Sequence, residues 1–524
     1  MKRQAWILCV LCALAYFSIG QAWAAGQNEA ESAPGTAGPT ELSLWIGINN
    51  KLQGKILTYD DVPFWQELQK RTKVDLKFIH PAAGQQKEQF NLMIASGEYP
   101  DMMSFQWSTY PGGPAKAIAD KVVEPLNSLI ESNGPNIRKL LQDFPVARKY
   151  IQTSDGNIYT LATVYTHPMQ LATQGLIVRS DWLKDLGLKD PVTLDDWYAM
   201  LKQFKEKKGA KSPLAMRLQE FKDTSAFASA FGVGVGYYQD NGKVKYGPAE
   251  PEFKAFLTYM NKLYSEGLLD PDFASLDRKT IDAKMISGQA GAAYGPTKGG
   301  VVAWNNALRA KLPSATVLGA GFPVRQAGQR VGLGKYNDEV NTLAGAAIST
   351  KSKNKAKAME FIDYAYTDEG TLLFNFGILG TSYTMVDGKP KYTDMIMKSV
   401  NPAPIDVLAM YAPAADGGIW QKYDYGFNAQ MDDVPEIHVT RKNWTDSSTY
   451  KNVLPAAVVP LPADSSRYSA LVNEIATYVD EMVLKFIMGQ ESLDRFDVFQ
   501  TNLKNKNVSE ATSILQKSYD LFYK

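Results

Sequence analysis

"ASGEYPDMMSFQW" (residues 95–107) is the third of three strand-like segments in the first part of the chain. Gly97 and Pro100 indicate a turn, and the apolar run behind them ends at an aromatic side chain. The two earlier strand-like segments are "LSLWIGI" (42–48) and "VDLKFIH" (74–80). Helical patterns, with apolar residues three or four positions apart, separate the three segments. This alternation of strands and helices is typical of a parallel sheet with helices on its faces, and it predicts an α/β fold.

Other local signals predict where individual elements begin and end. Thr193 and Asp196 have the spacing of a capping box at the start of a helix. "YYQDNGKVKYG" (237–247) predicts a hairpin that turns at its Asn-Gly pair. An apolar stripe over residues 468–486 predicts a long helix that ends at Gly489, with two more helices after it. The C-terminal part is therefore expected to be helical.

The bulk composition limits the class of protein. The chain has 524 residues, enough for at least two compact units with separate cores. Hydrophobic residues make up 45% and charged residues 21%, which is ordinary for a globular protein. Lys and Arg number 56 against 55 Asp and Glu, so there is no basic field to hold a nucleic acid. We therefore expect a globular protein with no nucleic-acid partner.

The N-terminus has the pattern of a secretory signal peptide. Lys2 and Arg3 precede an apolar run, and an Ala-Trp-Ala sequence ending at Ala24 supplies the small residues that a signal peptidase recognises. Residues 1–24 are therefore predicted to be a signal peptide that is cleaved after Ala24. An uncleaved membrane anchor is the alternative, but the apolar run is short for a membrane span.

The cysteines and the segment after the signal peptide extend this prediction. Cys9 and Cys12 both lie inside the predicted signal peptide, so the mature chain has no disulfide. A lipid-attachment cysteine needs a small residue before it, whereas Leu11 precedes Cys12. Residues 25–40 contain no apolar residue larger than alanine, which predicts a flexible linker. The folded part is expected to begin at Glu41.

The sequence offers little for catalysis or metal binding. Its histidines, His80, His167 and His438, are scattered, and no cysteine of the mature chain could join them in a metal site. There is no Gly-x-Ser-x-Gly motif of a serine hydrolase. Paired aspartates such as Asp195-Asp196 are more typical of helix caps than of the two facing carboxylates that hydrolyse a glycoside. We therefore expect no cofactor, no metal and no catalytic residue.

Aromatic side chains are abundant, with 10 Trp, 27 Tyr and 22 Phe. Several lie in predicted loops beside Gly, Asn and Asp. Aromatic rings with neighbouring amides and carboxylates suit a carbohydrate, whose ring has an apolar C–H face and a rim of hydroxyl groups. For each of these residues the alternative is an ordinary core position. The loop aromatics include Trp45, Trp107, Tyr110, Tyr294 and Trp420.

Several segments together resemble a known family. They include residues 95–107, "SGQAGAAYGP" (287–296) and the closing "ILQKSYDLFYK" (514–524). In this order they resemble extracellular solute-binding proteins of carbohydrate ABC transporters, specifically the large LplA-like branch. The resemblance covers almost all of the chain from residue 42 to residue 524. It implies two α/β lobes, the periplasmic-binding-protein fold, with several crossovers between the lobes, a ligand between them, and closure by a hinge motion.

The resemblance also implies where the lobes begin and end. The first lobe is expected to contain residues 41–170 and 340–400. The second lobe is expected to contain residues 171–339 and 401–524, including the C-terminal helices.

Candidate ligand-binding residues follow from likeness to maltose-binding proteins. Asn49 and Asn50 match the segment that hydrogen-bonds sugar after the first strand. Trp107 lies two residues beyond the position of the stacking tryptophan in the first lobe, with Phe105 as the alternative. The remaining candidates are Tyr110, Arg179, Tyr294 and Trp420.

The resemblance implies a receptor that is not an enzyme. It would capture an oligosaccharide or other carbohydrate and present it to ABC permease subunits in the inner membrane, as a monomer. The lipid-attachment motif usual in the family is absent, which favours a free periplasmic protein over a membrane-tethered lipoprotein. Two alternatives remain open: a secreted carbohydrate-active enzyme, either a glycosidase or a polysaccharide lyase, and a surface sensory or adhesin protein.

Overall fold

The structure, a computed structural model, describes residues 38–334, 337–431 and 434–523. The predicted signal peptide and most of the predicted linker lie outside these ranges. The strands are β1 (Thr40–Trp45), β2 (Val74–Ile79), β3 (Met102–Phe105), β4 (Leu161–Tyr165), β5 (Gln174–Arg179), β6 (Leu214–Ala215), β7 (Tyr237–Asp240), β8 (Lys243–Tyr246), β9 (Ala292–Pro296), β10 (Val317–Gly319), β11 (Val340–Ile348), β12 (Tyr383–Val386), β13 (Lys389–Tyr392) and β14 (Lys422–Tyr423).

The α-helices surround these strands and fill the last part of the chain. They are α1 (Pro63–Thr72), α2 (Gln86–Ser96), α3 (Gly113–Ala119), α4 (Asn127–Asn133), α5 (Pro135–Asp143), α6 (Pro145–Ile151), α7 (Ser180–Asp185), α8 (Leu194–Lys208), α9 (Leu218–Thr224), α10 (Phe253–Ser265), α11 (Arg278–Ser287), α12 (Ala303–Arg309), α13 (Lys355–Asp363), α14 (Asp368–Phe376), α15 (Asp394–Met397), α16 (Pro404–Leu408), α17 (Tyr425–Met431), α18 (Pro435–Ser447), α19 (Pro462–Ile487), α20 (Phe496–Asn505) and α21 (Val508–Tyr523).

Short 3-10 helices and one π-helix connect some of these elements. The 3-10 helices that concern the site span Tyr59–Asp61, Trp107–Thr109 and Pro413–Asp416, and the π-helix spans Thr297–Val302.

The larger sheet has the strand order β14-β4-β11-β3-β1-β2. Strand β1 pairs in parallel with β2 and with β3, and β11 runs antiparallel between β3 and β4. Helix α1 buries Phe64, Trp65 and Leu68, which recur at helical spacing. Helix α2 connects β2 to β3. The predicted strand–helix alternation and the α/β class are therefore confirmed.

The second sheet has the strand order β10-β5-β9-β6. The indole of Trp444, from α18, lies across it and donates from Nε1 to the carbonyl oxygen of Leu176 at 2.9 Å. The ring lies so close to the backbone that a Cβ added to Gly175 would be 2.6 Å from it. Glycine is therefore required there, and β5 is covered by a helix more than 200 positions later in the chain.

Each sheet has its own hydrophobic core, and each core combines distant segments. The first core draws on residues 42–164 and 340–427, and the second on residues 172–331 and 444–514. The predicted lobe boundary at residue 400 is therefore wrong. Phe427 packs in the first core and β14 pairs with β4, so the first lobe continues well beyond residue 400.

The local element signals are confirmed. Thr193 Oγ1 accepts from the Asp196 amide at 3.1 Å and Asp196 Oδ2 accepts from the Thr193 amide at 2.8 Å, which is a complete capping box on α8. Strands β7 and β8 form the predicted hairpin, with positive φ at Asn241 and Gly242. Helices α19, α20 and α21 form the predicted helical end of the chain.

Candidate functional site

A cavity of about 600 Å³ lies at the carboxyl ends of β1 and β3, bordered by the start of β11. Ligands of α/β proteins bind at this edge of the sheet, where loops leave the parallel strands. The described residues that line the cavity belong to the first lobe, and many are aromatic residues or amides. The aromatic residues are Trp45, Tyr59, Phe64, Trp65 and Phe105, and the amides are Asn49, Asn50, Gln86, Gln106 and Asn341.

Three of the eight predicted site residues line this cavity: Asn49, Asn50 and Phe105. The backbone amide of Asn49 donates to the Tyr59 hydroxyl at 2.7 Å, and the backbone amide of Asn50 donates to Asp416 Oδ2 at 3.0 Å. The loop after β1 is therefore held on both sides, which fixes the position of the two asparagines.

Aromatic side chains pack against the ring of Phe105. It stacks on Phe90 with centroids 3.6 Å apart and an interplanar angle of 7°, and its centroid is 5.9 Å from that of Trp45 in an edge-on arrangement. Such aromatic contacts hold a ring in one orientation. Phe105 is thus a fixed and largely buried ring, 9% exposed, in the cavity wall.

Trp107 and Tyr110 do not line the cavity, contrary to expectation. Trp107 is 1% exposed and its Nε1 donates to the carbonyl oxygen of Gly345 at 3.2 Å. The Tyr110 hydroxyl donates to Asp120 Oδ2 at 2.9 Å. In a continuing strand Trp107 would share the face of Phe105, but β3 ends at Phe105 and Trp107 begins a 3-10 helix. Its side chain is therefore directed into the core.

The other three candidates are also buried away from the cavity. The Arg179 guanidinium pairs with Asp181, with 2.8 Å from Nε to Oδ1, and lies over the Trp182 ring. Tyr294 packs in the core of the second lobe. Trp420 packs in the core of the first lobe, 6.3 Å from Trp65 between ring centroids. The loop before Trp420 does reach the cavity, through Gly418 and Ile419.

Several lining residues were not singled out as site residues from the sequence. Tyr59 and Asp416 reach the cavity from short 3-10 helices that lie far apart in the chain. Asn341 and Leu343 come from the first half of β11. The sequence did contain a signal for the loop at Asp416, because its Asp-Gly-Gly turn lies just before a tryptophan, which is the loop pattern used above to choose candidate site residues.

A hydrogen-bond network fixes the floor of the cavity. The Tyr59 hydroxyl accepts from Asn49 and donates to the Gly47 carbonyl at 3.0 Å. The Tyr59 amide donates to His80 Nε2 at 3.2 Å, and His80 Nδ1 lies 2.8 Å from the Ile46 carbonyl oxygen. These partners require a neutral His80 with its proton on Nδ1. Burial lowers the pKa of His80, which favours that form.

The charged groups of the cavity do not produce a field of one sign. Lys87 and Glu88 are adjacent and exposed at the start of α2. Asp416 is partly buried, and desolvation raises the pKa of its carboxyl. Within the described ranges no group of His, Cys, Asp and Glu side chains could hold a metal ion. The cavity therefore suits a ligand bound by aromatic faces and amide hydrogen bonds.

Residues 55–372, more than half of the chain, match the family model described as "Bacterial extracellular solute-binding protein". The chain therefore belongs to the family of bacterial extracellular solute-binding proteins. None of the described helices is long and apolar enough to cross a membrane.

Curated relatives are similar over part of their length. Lipoprotein LipO of Bacillus subtilis (strain 168) is 26% identical over 63% of this chain and 65% of its own length, which is just under two thirds. The polygalacturonan/rhamnogalacturonan-binding protein YtcQ of the same strain is 22% identical over 69% of this chain and 71% of its own length. The fructooligosaccharide ABC transporter substrate-binding protein FusA of Streptococcus pneumoniae serotype 4 is 24% identical over 60% of this chain and 59% of its own.

Solved structures are similar over almost the whole chain. The alginate-binding protein AlgQ2 is 25% identical, with a TM-score of 0.64, and the match covers 93% of this chain and 99% of that structure. An extracellular solute-binding protein from Bifidobacterium longum subsp. infantis is 18% identical, with a TM-score of 0.71, and the match covers 94% and 100%. The two-lobe α/β fold of periplasmic binding proteins is therefore the fold of this chain.

Proposed function

We propose that this protein is the substrate-binding component of an ABC importer for an oligosaccharide or other carbohydrate. The main support is the cavity wall, because the ring of Phe105, which is 9% exposed, and the side-chain amides of Asn49 and Asn50 line the same cavity. The ring offers a surface for the C–H face of a sugar, and the amides can hydrogen-bond its hydroxyl groups. FusA, YtcQ and AlgQ2, whose names state carbohydrate ligands, support the same ligand class.

The proposed mechanism is a shift of population between arrangements of the two lobes. A saccharide that contacts both lobes favours the closed arrangement, and permease subunits in the inner membrane recognise that form. The protein would act as a monomer and break no bond in its ligand. Export through a signal peptide cleaved after Ala24 would place it in the periplasm. A membrane-tethered lipoprotein, as the name of LipO states for that relative, is the alternative location.

The charges of the cavity favour a neutral carbohydrate. Among the described lining residues there is one basic side chain, Lys87, and there are two acidic ones, Glu88 and Asp416. A polyuronate would therefore meet at least as much negative as positive charge, and like charges at an interface oppose binding. We expect neutral oligosaccharides to bind more tightly than oligogalacturonates.

A thermal-shift panel tests the ligand class. The panel contains 1-kestose, maltotriose, cellotriose, trigalacturonate and a tripeptide. A neutral trisaccharide at 100 times its Kd should stabilise the folded protein by about 2.7 kcal/mol. If only the tripeptide raises the melting temperature, the ligand class is wrong. Release of shorter sugars from any trisaccharide would instead favour the alternative that the protein is a carbohydrate-active enzyme.

Phe105→Leu tests the aromatic surface. We expect it to raise the Kd for the bound trisaccharide about tenfold, which corresponds to about 1.4 kcal/mol of lost binding energy. Phe427→Leu is the matched control, because Phe427 is buried in the same lobe and does not line the cavity. Isothermal titration calorimetry gives both values. Equal Kd values for the two variants would contradict a stacking role for Phe105.

A further inference from the structure

Strand β11 carries a bulge that faces the cavity. On the β4 side Asn341 pairs with Thr163, and the next pair joins Ala346 to Leu161. Four residues of β11 therefore lie opposite the single residue between Leu161 and Thr163. Such bulges bend a strand away from its ladder and are frequent beside functional sites.

On its other side, β11 begins to pair with β3 only at Gly345, which is opposite Phe105. Residues 342–344 therefore have no paired residue in the register with either neighbouring strand. We call residues 342–344 the β11 bulge. Because Phe105 is the last residue of β3, the bulge lies directly beside the predicted stacking surface.

Two hydrogen bonds hold the bulge, and a third holds Gly345, the residue that follows it. The Leu343 amide donates to Asn341 Oδ1 at 3.0 Å. Ser104 Oγ donates to the Ala344 carbonyl oxygen at 3.1 Å. The indole of Trp107 donates to the Gly345 carbonyl oxygen at 3.2 Å, in a fully buried contact.

The surrounding residues accommodate the bulge. The carbonyl of Ala162, opposite the bulge, accepts a hydrogen bond from the Tyr366 hydroxyl at 2.8 Å. A Cβ added to Gly345 would lie 2.4 Å from Thr160 Oγ1, so only glycine lets the strand approach at this point. Because the carbonyl oxygen of Ala162 accepts this hydrogen bond, it is not left unpaired where the ladder between β4 and β11 is interrupted.

The bulge presents an apolar side chain to the cavity. Leu343 is 62% exposed although it lines the cavity together with Asn341 and Ala344. A ligand that covers this leucine removes apolar surface from water, which favours binding. An exposed leucine held by a structured bulge therefore has the properties of a ligand contact.

We infer that Leu343 packs against the C–H face of a bound saccharide and that Trp107 acts as a positioning residue for the β11 bulge. This inference rests on the proposed function. Leu343 and Phe105 would then contact the sugar from neighbouring strands. Trp107, buried and without access to the cavity, would influence affinity through the backbone that carries Leu343. Its ring also packs edge-on against that of Phe105, with centroids 5.9 Å apart, and an aromatic ring at this position would keep that contact.

Leu343→Ala tests the contact itself. Its Kd for each neutral trisaccharide of the panel that the wild-type protein binds should rise about tenfold. Leu379→Ala is the matched control, because Leu379 is 55% exposed in the first lobe and does not line the cavity. Both variants should keep the wild-type melting temperature without sugar, since both side chains are exposed.

A double-mutant cycle tests the role of Trp107. Trp107→Phe keeps an aromatic ring and removes the indole donor to Gly345. We expect it to raise the Kd severalfold in the wild-type background and to leave it unchanged in the Leu343→Ala background. A purely structural role would lower the melting temperature in both backgrounds and would not make the change in Kd depend on Leu343.

The outcomes separate this inference from the proposed function. If the wild-type protein binds no carbohydrate of the panel, the proposed function fails and this inference fails with it. If the wild-type protein binds a trisaccharide and Leu343→Ala has the same Kd, only the ligand contact of Leu343 is overturned. Equal effects of Trp107→Phe in the two backgrounds would overturn its positioning role.

Discussion

At the scale of single residues, His80 connects the sheet to the floor of the cavity. Its Nε2 accepts from the Tyr59 amide and its Nδ1 donates to the Ile46 carbonyl, so both ring nitrogens have partners. A protonated imidazole would carry a hydrogen on Nε2 and could not accept from Tyr59. Burial lowers the pKa of His80 below its ordinary value of 6.5. The loop that carries Asn49 and Asn50 therefore depends on a neutral histidine.

This arrangement predicts a pH dependence of stability. The unfolded chain binds a proton at His80 more readily than the folded protein, so the contribution of neutral His80 is fully present above about pH 6.5 and is lost as the pH falls through the lowered pKa. Urea unfolding between pH 7.5 and 5 measures this loss. His80→Gln is the control, because its amide oxygen can accept from Tyr59 and does not titrate. Identical pH profiles for the two proteins would contradict the prediction.

The predicted residues that line the cavity lie at or shortly after the ends of strands. Phe105 is the last residue of β3, and Asn49 and Asn50 lie four and five residues after the end of β1. Trp107 was misplaced because the chain leaves the strand after Phe105, and a loose aromatic motif does not show where a strand ends. Leu343 was not a candidate, because no motif in "VNTLAGAAI" marks a bulge.

At the scale of elements, local sequence signals were reliable because the residues that interact in them are close in sequence. The capping box of α8 and the Asn-Gly hairpin each involve residues within a few positions of one another. The β11 bulge could not be predicted in this way. Two of the three hydrogen bonds around it come from Ser104 and Trp107, more than 200 positions earlier in the chain.

The capping box of α8 gives a prediction for this element. Thr193→Ala removes the side-chain acceptor for the Asp196 amide and should lower the free energy of unfolding by about 1 kcal/mol. Thr193→Ser keeps a hydroxyl at the same position and should retain most of that stability. Urea unfolding at neutral pH compares the two variants. Equal losses would mean that the hydrogen bond of the cap contributes little.

At the scale of the whole molecule, the chain passes between the lobes more than once. The first core ends at residue 164, resumes at residue 340 and ends again at residue 427. The last passage was expected at residue 400 from the resemblance, and a helix pattern alone does not tell which core the helix joins. Several connections between lobes are compatible with a hinge, in which a few residues absorb the motion.

Closure of the lobes predicts a change in overall size. In this structure the described residues that line the cavity belong to the first lobe. A sugar that also contacts the second lobe would draw that lobe toward the cavity. The radius of gyration, measured by small-angle X-ray scattering, should therefore fall when the wild-type protein is saturated with a bound trisaccharide. The panel tripeptide at the same concentration serves as the control. An unchanged radius with a saturating sugar would mean that binding occurs without closure.

The interleaving of the two cores also has a consequence for the order of folding. The first lobe needs residues up to 427 and the second needs residues up to 514, so neither core can be completed while the chain is still short. Chains that depend on distant contacts fold slowly compared with those built from local contacts. A nascent chain of this kind cannot complete either core until most of it has been made, and late completion of the cores would suit the export proposed above.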